Sequence, residues 1–275
     1  MKAFLDKNNW EENLPTKWAG RHMEYYQELV STNMTAVSLL MKNAPHGTLV
    51  VSEKQTGGRG RRGRSWESPA GKSLYFSLLL RPEFQPEKAS MLTLVMAHSV
   101  VKALERAAGS TQGAAERKAT IKWPNDILVN GKKVGGILTE MQVEKGRIGH
   151  VIIGVGINVK AQDFTGELAG KASTLEQEWQ MEVDRDSLLR HIMQNFEQDY
   201  ESFEASGNLQ PFLEYYHSRL LNKDAYVKVL DPQEPFEGIA RGITAKGELI
   251  VEKENGQTCF VYAGEVSVRG KEGYV

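Results

Sequence analysis

The chain has 275 residues, 40% of them hydrophobic and 25% charged, which suits a soluble globular protein with one large unit and a smaller one. With 34 Lys and Arg against 35 Asp and Glu, the net charge of −1 excludes a nucleic-acid coat or an anionic-membrane binder. The single cysteine, Cys259, excludes a disulfide framework and any multi-cysteine zinc site, and the six histidines show no metal-ligand spacing.

The first 27 residues are polar, with aromatics at Trp10, Trp18, Tyr25 and Tyr26, and carry no regular pattern. No signal-peptide stretch opens the chain, and no segment approaches the roughly 20 apolar residues of a membrane span, so a cytoplasmic protein is expected. A short helix is predicted over Thr35–Asn43 and a β-branched strand over Thr48–Glu53. Residues 54–72 then lose all apolar periodicity, with four arginines between 59 and 64 and five glycines. Order resumes with an apolar strand, Ser73–Arg81, ended by Pro82. A helix over Glu87–Ala108 follows, with Leu94, Ala97, Val101, Leu104 and Ala108 on one face.

The stretch Thr120–Val159 is strand-rich. Asp126–Val129, Val134–Val143 and Ile148–Val159 fit an antiparallel meander, because Asn130-Gly131 supplies the positive φ angles of a tight hairpin. Helices are predicted over Asp184–Ser206 and Leu209–Leu221. From Ala225 the texture changes to short alternating segments between turn signals: Tyr226–Leu230, Phe236–Thr244, Glu248–Glu252, Thr258–Val261 and Glu265–Arg269. Such spacing suits a small all-β barrel, with the boundary near residue 223. Strands and helices before it do not alternate regularly, so the fold class is α+β, a mixed β-sheet backed by helices.

Gly58–Gly63 matches GxGxxG, but no helix pattern follows Gly63, which argues against a dinucleotide fold. Two readings of this loop stay open: a solvated charged loop, or one that closes over an anion. Glycines let the backbone approach a phosphate, and guanidinium groups neutralise it with paired hydrogen bonds. Trp66 offers a flat face to a planar ring. RNA binding would also use Gly, Arg and aromatics, although one short loop on a neutral chain is a poor backbone track. Two further segments share a device. Lys122-Trp-Pro-Asn-Asp126 is followed by Lys133-Val-Gly135-Gly136, and Gly154-Val-Gly156-Ile-Asn158 breaks an apolar strand. Glycine within a strand often marks close approach of a ligand or another backbone, so the loop and these segments are read as one ligand site.

Taken together, Gly58–Arg64 with Trp66, Lys122–Asp126, Lys133–Leu138 and Gly154–Val159 resemble the biotin–protein ligase family, also called biotin–[acetyl-CoA-carboxylase] ligases. Ser31-Thr32-Asn33, placed before the first helix, and Glu265–Arg269 resemble its opening and closing motifs, so the resemblance runs over nearly the whole chain. It implies a sheet like that of class II synthetases in residues 1–223 and an SH3-like barrel in 224–275. It implies biotin as substrate, ATP with Mg²⁺ as co-substrate, a biotinyl-5′-AMP intermediate, and transfer to a lysine of a biotin carboxyl carrier protein or domain. Bifunctional family members add an N-terminal DNA-binding domain. Only about 30 residues precede Ser31 here, so the monofunctional type, without DNA binding, is expected.

By the same resemblance, Ser31, Thr32, Asn33, Gln55, Arg59, Gly60, Arg61 and Lys133 match biotin-binding positions. Arg61, Trp66, Lys133, Asn158 and Arg269 match contacts to ATP or the adenylate. Lys133, Arg61, Asp126 and Lys122 are the catalytic candidates, with Asp126 able to orient or deprotonate the incoming lysine or to assist Mg²⁺. Family members often dimerise through sheet edges, and a strand near 148–159 is the expected edge. A lipoate or octanoate ligase or transferase of the same superfamily is the alternative enzyme, and an Arg-loop nucleic-acid module the alternative of another class. Without ligand the Gly/Arg loop lacks apolar anchors and is expected to order on binding. Proteolysis within residues 55–70 should therefore slow when biotin and ATP are added; equal rates with and without them would sink that expectation.

Overall fold

In the computed structural model, residues 4–109, 118–231, 234–263 and 267–270 are described. The larger part is built on a seven-stranded sheet of β1 (Met23–Tyr26), β2 (Thr48–Ser52), β3 (Ser73–Leu80), β4 (Ala119–Lys122), β5 (Asp126–Val129), β6 (Lys132–Glu144) and β7 (Arg147–Asn158). The spatial order is β1-β2-β3-β7-β6-β5-β4. Only β1 and β2 run parallel; every other neighbour pair is antiparallel, so the sheet is mixed as expected.

The apolar run of β3 is explained by cover on both faces, since all eight of its residues are buried. Leu74, Phe76, Leu78 and Leu80 join the main core beneath helices α3 (Leu92–Ala108) and α5 (Arg185–Ser206). On the other face Leu79 packs with Val50, Ile152 and with Ala36 and Leu39 of helix α2 (Thr32–Leu40). The predicted helix at Glu87 starts later, because Pro86–Met91 forms 3-10 turns before α3. Helix α2 starts earlier than predicted. Ser31 is its N-cap, so Thr32 and Asn33 lie in its first turn rather than ahead of it.

Residues before Met23, read as patternless, contain helix α1 (Lys7–Asn13), whose Trp10 is fully buried and donates from Nε1 to the Gly20 carbonyl at 2.8 Å. One side chain gathers three successive N–H groups of the following loop. The buried Glu197 carboxylate of α5 accepts backbone N–H groups from Lys17 (2.8 Å), Trp18 (2.7 Å) and Ala19 (2.9 Å). Tertiary capture of this kind leaves no periodic trace in the sequence.

Two shorter helices, α4 (Leu175–Trp179) and α6 (Leu213–Arg219), complete the larger part; α4 was not predicted, and a 3-10 turn precedes α6. The C-terminal strands β8 (Ala225–Leu230), β9 (Phe236–Ile243), β10 (Leu249–Glu252), β11 (Thr258–Val261) and β12 (Ser267–Gly270) form an antiparallel sheet in the order β11-β10-β9-β8-β12. Its end strands β11 and β12 are not paired with each other among the described residues; Glu265 and Val266 of the predicted last strand lie outside them. Trp123 Nε1 donates to Gly247 O at 3.0 Å and ties this sheet to the larger part.

One expectation is corrected by the topology. The strand near 148–159 is not an edge: β7 lies between β3 and β6, and only Arg147–His150 outruns β3. Its Val and Ile residues serve the core, with Val151, Ile152, Ile153 and Ile157 fully buried.

Replacing Glu197 with Ala leaves the Lys17, Trp18 and Ala19 N–H groups without their acceptor, the last of them buried, and is expected to lower unfolding free energy by about 2 kcal/mol. Urea denaturation checks this; an unchanged midpoint would show that the loop holds itself.

Candidate active site

The glycines that interrupt β6 and β7 make room for the chain's own side chains. A Cβ on Gly154 would lie 2.1 Å from Asn33 Oδ1, and one on Gly156 would lie 2.6 Å from the Trp66 indole. On Gly136 it would meet Trp66 Cζ3 at 3.0 Å. So the close approach predicted from these glycines is real, and its occupants are Asn33 and Trp66. A helix start and a loop are thereby laid directly on the sheet.

Asn33 is then locked from both ends. Its Nδ2 donates to Glu140 Oε2 (2.6 Å), and its Oδ1 accepts from Ser77 Oγ of β3 (2.5 Å). Ser77 also contacts Thr32 Oγ1 (2.7 Å). Thr32 donates from its backbone N to Gln55 Oε1 (2.8 Å), and Gln55 Nε2 donates to Ser68 Oγ (3.0 Å). Such a chain of bonds fixes each amide's orientation, and Thr32, Asn33 and Gln55 all line one cleft.

That cleft is about 60 Å³ and is lined by Ser31, Thr32, Asn33, Gln55, Arg59, Gly60, Arg61, Trp66, Asn125, Lys133, Gly136, Gly154 and Gly156, among others. It is far smaller than an ordinary ligand pocket, and the Trp66 indole forms part of its floor. The Trp66 Nε1 is buried without a hydrogen-bond partner among the described residues. A buried orphan N–H is costly.

A second cavity, of about 700 Å³, adjoins the first. Gly60, Arg61, Trp66, Asn125 and Lys133 line both. The larger one adds Arg62, Arg64, Lys122, Asp126, Asn158, Lys171, Lys228 and Arg269, so cations dominate its wall over the acidic Glu67, Asp126 and Glu167. Every site residue predicted from the sequence lines one cavity or the other. Ser31, Thr32, Asn33, Gln55 and Arg59 lie on the small one only, and Lys122, Asp126, Asn158 and Arg269 on the large one only.

At the junction Lys133 Nζ lies 2.6 Å from Asp126 Oδ1 and 5.3 Å from the Trp66 ring centroid. Lys133 reaches this place because β6 bulges against β5: Leu128 pairs with Lys133 whereas Ile127 pairs with Gly135. Arg61 sits in a 3-10 turn of the loop, donating to Asn125 Oδ1 (2.9 Å) and to the Ala263 carbonyl of the C-terminal part (2.7 Å). Burial lowers its guanidinium from the ordinary value, while Asp126 opposes the change. Lys122 is not the solvated hairpin lysine its position suggests: it is 4% exposed. Burial pushes its ammonium down to about 8; Asp126 works against this, while Arg269, Lys133 and Arg64 add to it.

Asn125, within the Lys122–Asp126 segment, has a role that the sequence does not assign. Its side chain receives Arg61 and donates to Ile137 O at 3.1 Å, which joins the loop to β6. The signal was an amide beside a proline inside a charged motif.

Residues 26–158 match the biotin/lipoate A/B protein ligase family, and residues 226–269 match the biotin protein ligase C-terminal domain. The bifunctional ligase/repressor BirA of Bacillus subtilis is 42% identical over 254 residues, 92% of this chain and 76% of that protein. The chain belongs to the biotin protein ligase family. The biotin–[acetyl-CoA-carboxylase] ligase of Mycobacterium tuberculosis is 28% identical over 97% of this chain and 96% of its own length. Among solved structures, a biotin protein ligase from Aquifex aeolicus in complex with biotin and ATP superposes with a TM-score of 0.76 at 30% identity, covering 91% of this chain and all (100%) of that one. The α+β biotin ligase fold is thus established for this family member. Among the described residues, no helix is long and apolar enough to cross a membrane.

Lys122 gives this ligase-family chain a measurable pH signature. Folded, the group loses its proton near pH 8; unfolded, near its ordinary 10.5. Between those values the unfolded chain binds more protons, so this group makes stability rise with pH, by at most about 1.4 kcal/mol per pH unit. Unfolding measured from pH 7 to 10.5 should show that slope flattened in Lys122→Met; identical slopes would refute the assignment.

Proposed function

We propose that the chain condenses biotin with ATP to biotinyl-5′-AMP and transfers the biotinyl group to a lysine of a biotin carboxyl carrier domain, acting in the cytoplasm. The observation that carries this reading is the pair of adjoining cavities sharing Arg61, Trp66 and Lys133, one narrow and amide-lined, the other large and cationic. A ureido ring asks for hydrogen-bonding amides and hydroxyls, which Thr32, Asn33 and Gln55 supply from an ordered network. A triphosphate asks for positive charge, which Arg61, Arg64, Lys122 and Arg269 supply.

In the first step a biotin carboxylate oxygen attacks the α-phosphorus, an acyl-phosphate bond forms, and pyrophosphate leaves. Lys133, at the shared wall, supports the carboxylate and α-phosphate together as the mixed anhydride forms. Asp126 holds the Lys133 ammonium from behind at 2.6 Å, so the cation need not reorganise during the step. In the second step the acceptor amine attacks the acyl carbon, the amide forms, and AMP departs. The amine's proton has a carboxylate acceptor in Asp126 on the same wall. Trp66 packs on the adenylate, and Asn158 contacts the base. Arg61, braced by Asn125 and the Ala263 carbonyl, retains the adenylate against release to solvent.

Among the described residues no group of three or more acidic, His or Cys side chains stands ready for a metal. Asp126, the carboxylate of that wall nearest Lys133, suits a Mg²⁺ that arrives with the phosphates and shields their charge. We place the adenylating chemistry on residues 1–223, with 224–275 closing the large cavity from one side. Self-association through the main sheet falls to the stretch of β6 beyond Gly136, which outruns β5.

Lys133→Ala is expected to lower biotin-dependent ATP–pyrophosphate exchange by about 10²–10³-fold, with the melting transition retained. Wild-type exchange in that variant would remove the role given to Lys133. In the same assay format, a carrier domain labelled with octanoate but not with biotin would favour the lipoate-type alternative.

A further inference from the structure

Asn158 ends β7, is 4% exposed and lines the larger cavity. Its Nδ2 donates to the Ser173 carbonyl at 3.1 Å. A carbonyl oxygen only accepts, so the amide nitrogen must face it. The Asn158 Oδ1 and the second Nδ2 hydrogen are left to the cavity, and Oδ1 accepts from no described residue.

The carbonyl that orients this amide is itself held. Residues 171–173 run beside the start of β6: Lys133 N donates to Lys171 O (2.8 Å), and Ser173 N donates to Lys133 O (3.0 Å). Ser173 Oγ then donates to Glu178 Oε1 at 2.6 Å. The same carboxylate receives Lys132 Nζ (3.0 Å) and Asn130 Nδ2 (3.1 Å) from the β5–β6 hairpin. Glu178 stands on α4, whose N-cap Thr174 follows Ser173 directly. Burial alone would raise its carboxyl, but the bonds from Ser173, Lys132 and Asn130 outweigh that and hold it below the usual range. The clamp therefore stays ionised across the working pH range. One anchored anion ties the hairpin that carries Lys133 to the segment that orients Asn158.

We propose that Glu178 is a positioning residue that, through Ser173, holds the Asn158 carboxamide oxygen toward the cavity and so sets a preference for adenine over guanine nucleotides. This rests on the ligase reading above. An amide offering an oxygen and an N–H side by side pairs with the exocyclic amino group and neighbouring ring nitrogen of adenine. Guanine presents an oxygen where adenine presents that amino group, so the fixed amide meets it oxygen to oxygen. Turning the amide over would accept guanine, but would aim Oδ1 at the Ser173 carbonyl. Releasing the 171–173 segment removes that prohibition.

The test is biotin-dependent exchange of labelled pyrophosphate into ATP and into GTP, run on the full chain with Glu178→Ala, Glu178→Gln and Ser173→Ala. In Glu178→Ala the KM for ATP should rise about tenfold, with the KM for biotin unchanged and the ATP-to-GTP ratio of kcat/KM falling by a similar factor. Glu178→Gln, which keeps an oxygen acceptor, should fall between it and the unsubstituted protein. An equal loss of kcat with both nucleotides, at an unchanged ratio, would mean a merely structural role and overturn the proposal. If Glu178→Ala does not fold, Ser173→Ala removes the hydroxyl alone and decides the matter: a lowered ratio supports the clamp, an unchanged ratio refutes it. No exchange with either nucleotide in the unsubstituted protein would instead fell the ligase reading, and this proposal with it.

Discussion

The site depends on missing side chains. Because Gly136, Gly154 and Gly156 present bare backbone, Asn33 and Trp66 lie against the sheet, at Gly154 and Gly156 closer than any Cβ would tolerate. The first turn of α2, the Gly/Arg loop and Lys133 thereby line one cleft, although they are separated by many residues in sequence. A side chain at Gly154 would displace Asn33, and one at Gly156 would displace Trp66, which lines both cavities. Lys133 depends on a related device, a bulge that turns it into the junction where a regular ladder would have placed it one residue out of step.

Charge in this region is arranged rather than merely accumulated. Lys133 has Asp126, Arg61 has Asn125 and a backbone carbonyl, and Lys132 has Glu178. Fixed partners keep cations in place before a polyanion arrives, so little reorganisation remains for the reacting complex. Lys122 is the buried lysine of the group: desolvation lowers its affinity for a proton, Asp126 opposes that change, and Arg269, Lys133 and Arg64 add to it.

What the sequence disclosed follows from what is local. Strands β3, β5 and β7 and helix α5 announced themselves through runs and periodicity, and the Asn130-Gly131 hairpin through its turn residues. The site residues were legible because their motifs are short and unusual: arginines among glycines, lysine before Trp-Pro, glycines inside apolar strands. Features set by distant partners were silent. Nothing near Trp10 says that Gly20 will receive its indole, and nothing near Lys17 says that Glu197 waits 180 residues on. The interior position of β7 was hidden for the same reason, since strand order is fixed by which faces are covered. Burial of Lys122 was hidden too, because a lysine at a strand end looks alike whether or not another sheet lies over it.

The bond from Arg61 to the Ala263 carbonyl has a structural corollary. An arginine of the main sheet's loop is finished by backbone just past β11, and the large cavity is walled by residues of both sheets. The carboxy-terminal sheet is thus a side of the vessel rather than an appendage. Cleaving it away would strip cover from a hydrophobic core that both sheets share, and would open the reaction chamber to water, where an acyl phosphate does not last.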